Sequence, residues 1–152
     1  MQFNQATDYA FRVVLHLAAL PHGAIVNGQT LADKERIPQR FLHKIMRTLT
    51  AAGIIRSHRG ADGGFALGKQ AQDISLLTVI QAMEGPVAIQ RCLGDGSLCS
   101  KACAPECPVH AALGGVQEQM LTSLGTIRFA ELALHIQTGG GRPQRAAVSN
   151  CY

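Results

Sequence analysis

A chain of 152 residues has room for one ordinary domain with its own core, or for a small domain with an appendage, and excludes a pair of large catalytic domains. Hydrophobic residues make up 47% and aromatic ones 5%, with no Trp, which predicts a folded, aliphatic and mainly helical core and excludes a wholly disordered chain. The net charge of +4 lies in one half: residues 1–74 hold nine Lys/Arg against five Asp/Glu, residues 75–152 five of each, the imbalance of an electrostatic DNA footprint, although +4 is also common on ordinary proteins.

Ala6, Tyr9, Ala10, Val13, Val14, Leu17 and Ala18 recur at helical spacing and predict a first helix ending near Pro21. Phe11 and Leu15 lie off that stripe. Two readings of this second patch stand side by side, contact with a partner subunit or burial in the chain's own core. Asp8, Arg12 and His16 interrupt the apolar stretch, so neither a signal segment nor a membrane span is expected, and the expected location is cytoplasmic.

Thr30 and Asp33 resemble a capping box and predict a short helix over residues 31–36, with Ile37 and Pro38 turning into a second helix. On that second helix Phe41, Leu42, Ile45, Met46, Leu49 and Ala52 share one face, while Arg40, His43, Lys44 and Arg47 form a basic face opposite. Such a helix can seat its apolar face on a domain and enter the major groove with the other. Gln39 and Arg40 are the candidates for base edges, Gln for adenine and Arg for guanine, and Lys44 and Arg47 for phosphates. A solvated surface helix can carry the same charges, but the one-sided charge of the chain and the hairpin beyond this helix weigh against that reading.

Gly53 ends the helix, residues 54–58 read as a strand, Gly60, Gly63 and Gly64 as a tight tip with positive backbone dihedrals, and residues 65–67 as the return strand. A hairpin directly after a helix-turn-helix is the wing of a winged helix. Arg59, Arg56 and His58 are its candidates for the minor groove or its phosphates.

Ser75 caps a further predicted helix through Met83, closed by Gly85 and Pro86. After the cysteine-rich stretch, Pro108 opens another, with Val109, Ala112, Leu113, Val116, Met120 and Leu124 at helical spacing and Gly114–Gly115 interrupting it or marking a close helix approach. Thr126 is expected to cap a last helix through Ile136, and the Gly-rich residues beyond to form a disordered tail in which Cys151 is incidental.

Four of the five cysteines, Cys92, Cys99, Cys103 and Cys107, fall within sixteen residues, followed by His110. The loop has little apolar content to order it, so metal binding could supply its folding energy. Zinc sites of this size usually contain Cys-x-x-Cys pairs, and none is present here; wider gaps favour an iron-sulfur cluster. Thiol redox switching without metal and structural zinc are the alternatives, and His110 reads equally as a ligand or as a surface residue near a helix start. His16, His22 and His135 receive no role. An enzyme is not expected, because no nucleophile–base pair, paired carboxylates or phosphate loop stands out. A small iron-sulfur electron-transfer protein would need no basic recognition face.

Three segments carry a resemblance to a known family: FNQATDYAFRVVLHLA at the start, AAGIIRSHRGADGGFAL at 51–67, and the loop from Cys92 to CPVH at His110. Together they resemble the bacterial winged-helix regulators typified by IscR, NsrR and RirA, over roughly residues 1–135. The resemblance implies a mainly α fold with a small β wing, a winged helix-turn-helix followed by a dimerisation helix and a cysteine-rich cluster-binding loop. It implies residues 1–74 as the DNA-binding region, 75–136 as cluster loop and dimerisation helices packed with the first as one unit, and 137–152 as a tail.

By the same resemblance the chain is a homodimeric repressor of double-stranded operator DNA. It would sense iron, nitric oxide or redox state at a 2Fe-2S or 4Fe-4S cluster. Cys92, Cys99 and Cys107 are the implied ligands, with Cys103 able to replace Cys99 or complete an all-cysteine site, and His110 or Asp8 as a non-cysteine ligand. Thr30, Gln39, Arg40, His43, Lys44, Arg47, Arg56, His58 and Arg59 are the implied DNA-contacting set. The chain departs from the family in its cysteine gaps, six residues from Cys92 to Cys99 and seven from Cys99 to Cys107, where members often have five in each.

Overall fold

The computed structural model describes residues 2–60, 63–104 and 106–138; Cys151 and the expected tail beyond Thr138 lie outside them. The first helix, α1, spans Gln5–Ala18. Asn4 caps it by accepting from the Thr7 N–H at 2.9 Å. Glu84 reinforces that end, accepting from the Asn4 N–H at 3.0 Å and the Thr7 hydroxyl at 2.7 Å, and its carboxylate sits where the helix dipole favours negative charge. Tyr9, Ala10, Val13, Val14 and Leu17 are buried as the spacing predicts. Phe11 packs on Phe129 and Phe3, ring centroids 6.4 and 6.3 Å apart, so within this chain the second patch on α1 serves the chain's own core.

Helix α2 runs Gly28–Glu35 and α3 Gln39–Ala51. The cap of α2 is Asn27, which accepts from the Gln29 N–H at 2.8 Å; Thr30 lies inside the helix. This overturns the capping box. The reason is the chain's entry: Val26 pairs with Phe65 through two backbone hydrogen bonds, Val26 N–H to Phe65 C=O at 2.9 Å and Phe65 N–H to Val26 C=O at 2.8 Å, so the first free turn begins at Asn27. Arg36 then adopts a left-handed conformation, φ 53°, and the chain turns through Ile37 and Pro38 into α3. Leu42, Ile45, Met46 and Leu49 of α3 are buried, Phe41 is half-buried, and Ala52 beyond the helix is exposed.

Strands β1, Ile55–His58, and β2, Gly64–Leu67, form an antiparallel pair in the register Ile55–Leu67 to His58–Gly64. Gly53 and Gly60 have positive φ, 68° and 117°. Gly63 and Gly64 do not, contrary to expectation; space is what they provide. A Cβ on Gly64 would fall 2.4 Å from the Val26 carbonyl oxygen, and one on Gly63 2.7 Å from that of His58.

Helix α4 spans Leu76–Glu84, capped by Ser75 accepting from the Thr78 N–H at 3.1 Å. A one-turn helix α5, Arg91–Gly94, precedes the cysteine loop, and α6 runs unbroken from Pro108 to Thr126. The glycine pair does not interrupt it. Gly114 faces Leu93 of α5, a Cβ there falling 3.6 Å from the leucine, while Gly115 has open space. The last helix, α7, is Phe129–Gln137 with Arg128 as its N-cap. Thr126 is not that cap: it ends α6, its hydroxyl donating to the Ser123 carbonyl at 2.9 Å. Arg128 is held extended because the Leu76 N–H bonds Ile127 C=O and the Phe129 N–H bonds Ile74 C=O, at 3.1 and 2.9 Å.

Helix α1 packs against α2, α3, α4 and α7, and one hydrophobic cluster runs from Tyr9 through Leu31, Ile45 and Ile55 to Val79 and Phe129. Helix α6 stands apart, in contact with α4 and α5 and with no buried residue along its 19 positions. Val109 and Val116 on it are 64% and 55% exposed, more apolar surface than a long helix ordinarily leaves in water.

Candidate DNA interface and cysteine loop

The basic face of α3 forms as the spacing predicts: Gln39, Arg40, His43, Lys44 and Arg47 are all exposed. Arg40 lies over the Phe41 ring, 4.9 Å from its centroid, a cation–π contact that holds its guanidinium near the start of the helix. A groove joins this face to the wing. Gln39 and His43 line it from α3, His58, Arg59 and Gly60 from the wing, and Asn27 and Gln29 from α2.

Lys44 and Arg47 flank the outer side of α3 beside Arg40. Arg56 is exposed but borders a different depression with Lys69, on the far side of the hairpin. Thr30 is exposed on α2 outside the residues that line the groove. Gln29 and Asn27 were missed by sequence reasoning because it began the helix three residues late; the hint available was Asn27 itself, a strong cap residue.

The cysteine loop is built from short turns. Asp95 accepts from the Ser97 N–H at 2.9 Å and its hydroxyl at 2.7 Å, bonds that hold the Asp95 carboxyl below its ordinary range. This fixes a single turn at Gly96–Leu98 that delivers Cys99. Ala102 then takes a left-handed conformation, φ 50°, unusual for a residue with a Cβ, and folds the chain so that the sulfurs of Cys99 and Cys103 lie 4.0 Å apart. Cys107 is the N-cap position of α6. All four cysteines are free and half-buried.

Their chemistry differs. Backbone N–H groups of Cys103, Lys101 and Ala104 point at the Cys99 sulfur and bring its pKa down to about 7. The first-turn N–H groups of His110 and Val109 lower that of Cys107, as helix N-termini do for thiols. Cys103 is pushed up, by partial burial and by the neighbouring Cys99 and Cys107. On the other side of the loop, His110 Nδ1 lies 3.5 Å from the Cys92 sulfur.

Thiolates and imidazole are suitable donors for an iron-sulfur cluster, and this loop offers four thiols with a histidine at one helix start. In donor type the residues fit such a group. Among the described residues no three His, Cys, Asp or Glu side chains converge on one metal position; the donors stand as the Cys99–Cys103–Cys107 arm and the Cys92–His110 pair. Asp8 is engaged elsewhere, in an ion pair of 2.6 Å with Arg12.

Comparison with known proteins agrees with this geometry. Residues 3–135 match the Rrf2 family, described as iron-dependent transcriptional regulators. A Mycobacterium tuberculosis (strain H37Rv) protein named as an HTH-type transcriptional regulator, Rv1287, is 31% identical over 147 residues, 97% of this chain and 87% of the relative. In fold the chain is similar to IscR of T. potens, with a TM-score of 0.72 at 17% identity over 94% of this chain and 93% of that one. It is also similar to CymR, the global cysteine regulator of B. subtilis, with a TM-score of 0.65 at 22% identity over 89% and 98%. The mainly helical winged-helix architecture is common to them, and the chain belongs to the Rrf2 family of transcriptional regulators, not to any class of enzyme.

Proposed function

We propose that this regulator is a homodimeric repressor that reads double-stranded operator DNA with α3 and its wing and senses iron, nitric oxide or redox state through an iron-sulfur cluster on residues 92–110. The observation that carries the reading is the set of four half-buried free thiols with His110, placed at the start of a helix that buries none of its own residues. Cys92, Cys99 and Cys107 would hold the cluster, with Cys103 in reserve and His110 the favoured non-cysteine donor over the ion-paired Asp8. When bound, the cluster would supply an iron centre that reactive nitrogen or oxygen species, or loss of iron, can alter. The apolar surface of α6, with Val109 and Val116, would pair with a second copy. A symmetric dimer would then set two α3 helices on half-sites about one helical turn apart. A signal need only favour one relative pose of the two over another.

One observation favours a second reading, a clusterless thiol switch. The sulfurs of Cys99 and Cys103 lie 4.0 Å apart, and Cys99 is substantially thiolate at neutral pH. Oxidation of the pair by a peroxide would form one S–S bond, the two thiols giving up two electrons and two protons as the peroxide is reduced to water. The likeness in fold to a cysteine regulator supports this reading in the same measure as the likeness to IscR supports the first.

Anaerobic purification with an absorption spectrum and iron and sulfide analysis separates them, comparing wild type with Cys92→Ala and Cys107→Ala. Visible absorption in wild type that both variants lose supports the cluster, and the iron-to-protein ratio distinguishes 2Fe-2S from 4Fe-4S. A colourless, iron-free wild type that still binds DNA selects the thiol switch.

A further inference from the structure

Helices α2 and α3 meet through three side chains: Asp33, Gln29 and Gln39. The Gln29 Nε2 group donates to both Asp33 carboxylate oxygens, at 2.9 and 3.1 Å. An ionised carboxylate only accepts hydrogen bonds, so Gln29 must turn its NH2 toward Asp33 and its Oε1 away. That Oε1 accepts from Nε2 of Gln39, the first residue of α3. The direction of one amide thus dictates the direction of the next.

Gln29 and Gln39 line the groove between α3 and the wing. With one N–H engaged by Gln29, Gln39 retains one N–H and its Oε1. Adenine presents a matching pair in the major groove, the N7 acceptor beside the N6 amino donor. A glutamine without a neighbour can rotate its amide by half a turn and exchange donor for acceptor; Gln39 is held in one arrangement.

We propose that Gln29, oriented by Asp33, is a positioning residue that fixes the Gln39 carboxamide for adenine and so sets base preference at one position of each half-site. The inference rests on the reading of α3 as the helix that enters the major groove. All three side chains are exposed in the free protein, where water competes for each bond and the relay contributes little to stability. Against DNA, water is excluded from this face and a wrongly turned amide leaves donors and acceptors unpaired. Gln29 therefore acts on selectivity and not on folding.

The test is selection of bound duplexes from a random-sequence library, followed by titrations of duplex pairs differing at one position. Wild type is expected to prefer adenine at the Gln39 position by about tenfold or more. Gln29→Ala and Gln39→Ala should each reduce that preference several-fold, leaving affinity for a scrambled duplex and the thermal midpoint unchanged. Gln29→Glu combined with Asp33→Asn conserves net charge, keeps an acceptor facing Gln39 and a donor facing position 29, and should recover the preference that either single change weakens. Preference lost in Gln39→Ala but kept in Gln29→Ala would overturn the positioning role while leaving α3 as the reading helix. Preference kept in both variants removes Gln39 and its relay together, and a wild type that selects no sequence overturns the DNA-reading assignment itself.

Discussion

His110 Nδ1 lies 3.5 Å from the sulfur of Cys92, across the loop from the 4.0 Å Cys99–Cys103 pair. The imidazole is carried by the first turn of α6 and the thiol by α5, so the contact joins the two ends of the cysteine-rich segment. His110→Ala is expected to alter the visible spectrum of anaerobically purified protein and lower its iron content. Asp8→Ala, which removes an exposed ion pair with Arg12, is expected to leave both unchanged. The reverse pattern would transfer the fourth donor to Asp8.

In the metal-free protein the thiols should react in order of their thiolate content. With a pKa of about 7, Cys99 loses thiolate as the pH falls through that value. Its alkylation by iodoacetamide should slow about tenfold for each unit below about pH 6 and level off above about pH 8. Cys103, raised instead, should remain unmodified at neutral pH. Peptide mass spectrometry after brief labelling reads both, and faster labelling of Cys103 would contradict the backbone geometry around Cys99.

Two glycines should respond to alanine with opposite signs. At Gly64 the new Cβ meets the Val26 backbone at 2.4 Å, and Gly64→Ala should lose about 1–3 kcal/mol in denaturant titration. At Gly115 nothing lies within 4 Å, and relief of a helical glycine should add up to about 1 kcal/mol. A fall in stability for Gly115→Ala together with loss of dimer would place that residue at a helix–helix contact.

Phe129, 1% exposed, joins α7 to Phe11 of α1. Phe129→Ala should cost about 3–5 kcal/mol, and unfolding followed at both ends of the chain should move together. Separate transitions would show that α7 is not part of the same cooperative core.

If α3 and the wing track the phosphates, Lys44→Ala should weaken binding to every duplex alike and reduce the slope of log K against log salt by about one. Gln39→Ala should leave that slope unchanged. A salt slope untouched by Lys44→Ala would remove it from the phosphate contacts.

Much of this architecture is readable in the residues themselves. The two faces of α3 follow from periodicity alone, Ser75 and Pro108 start the helices they predict, and the glycines at 60–64 announce the hairpin. What periodicity does not contain is long-range backbone pairing. Asn27 displaces Thr30 as a cap because Val26 is tied to Phe65, and Arg128 displaces Thr126 because residues 127–129 are tied to 74–76. Gly63 and Gly64 are required by neighbours distant in sequence or across the hairpin, not by their own dihedrals. At the cysteine loop, spacing identifies donor types, but which sulfurs meet depends on the turns at Asp95 and Ala102.

The Val26–Phe65 pairing also bears on how a regulator of this kind could be switched. It fastens the root of the hairpin to the residue that precedes α2, so hairpin and reading helix are jaws cut from one piece of metal. Bending one against the other would break two backbone hydrogen bonds and drive Gly64 off its close approach to Val26. A caliper with rigid jaws can be reset only at its joint. In a dimer that joint would be the seam between subunits, and a change at residues 92–110, which lead directly into α6, would reach the DNA by altering the gap between two unchanged jaws.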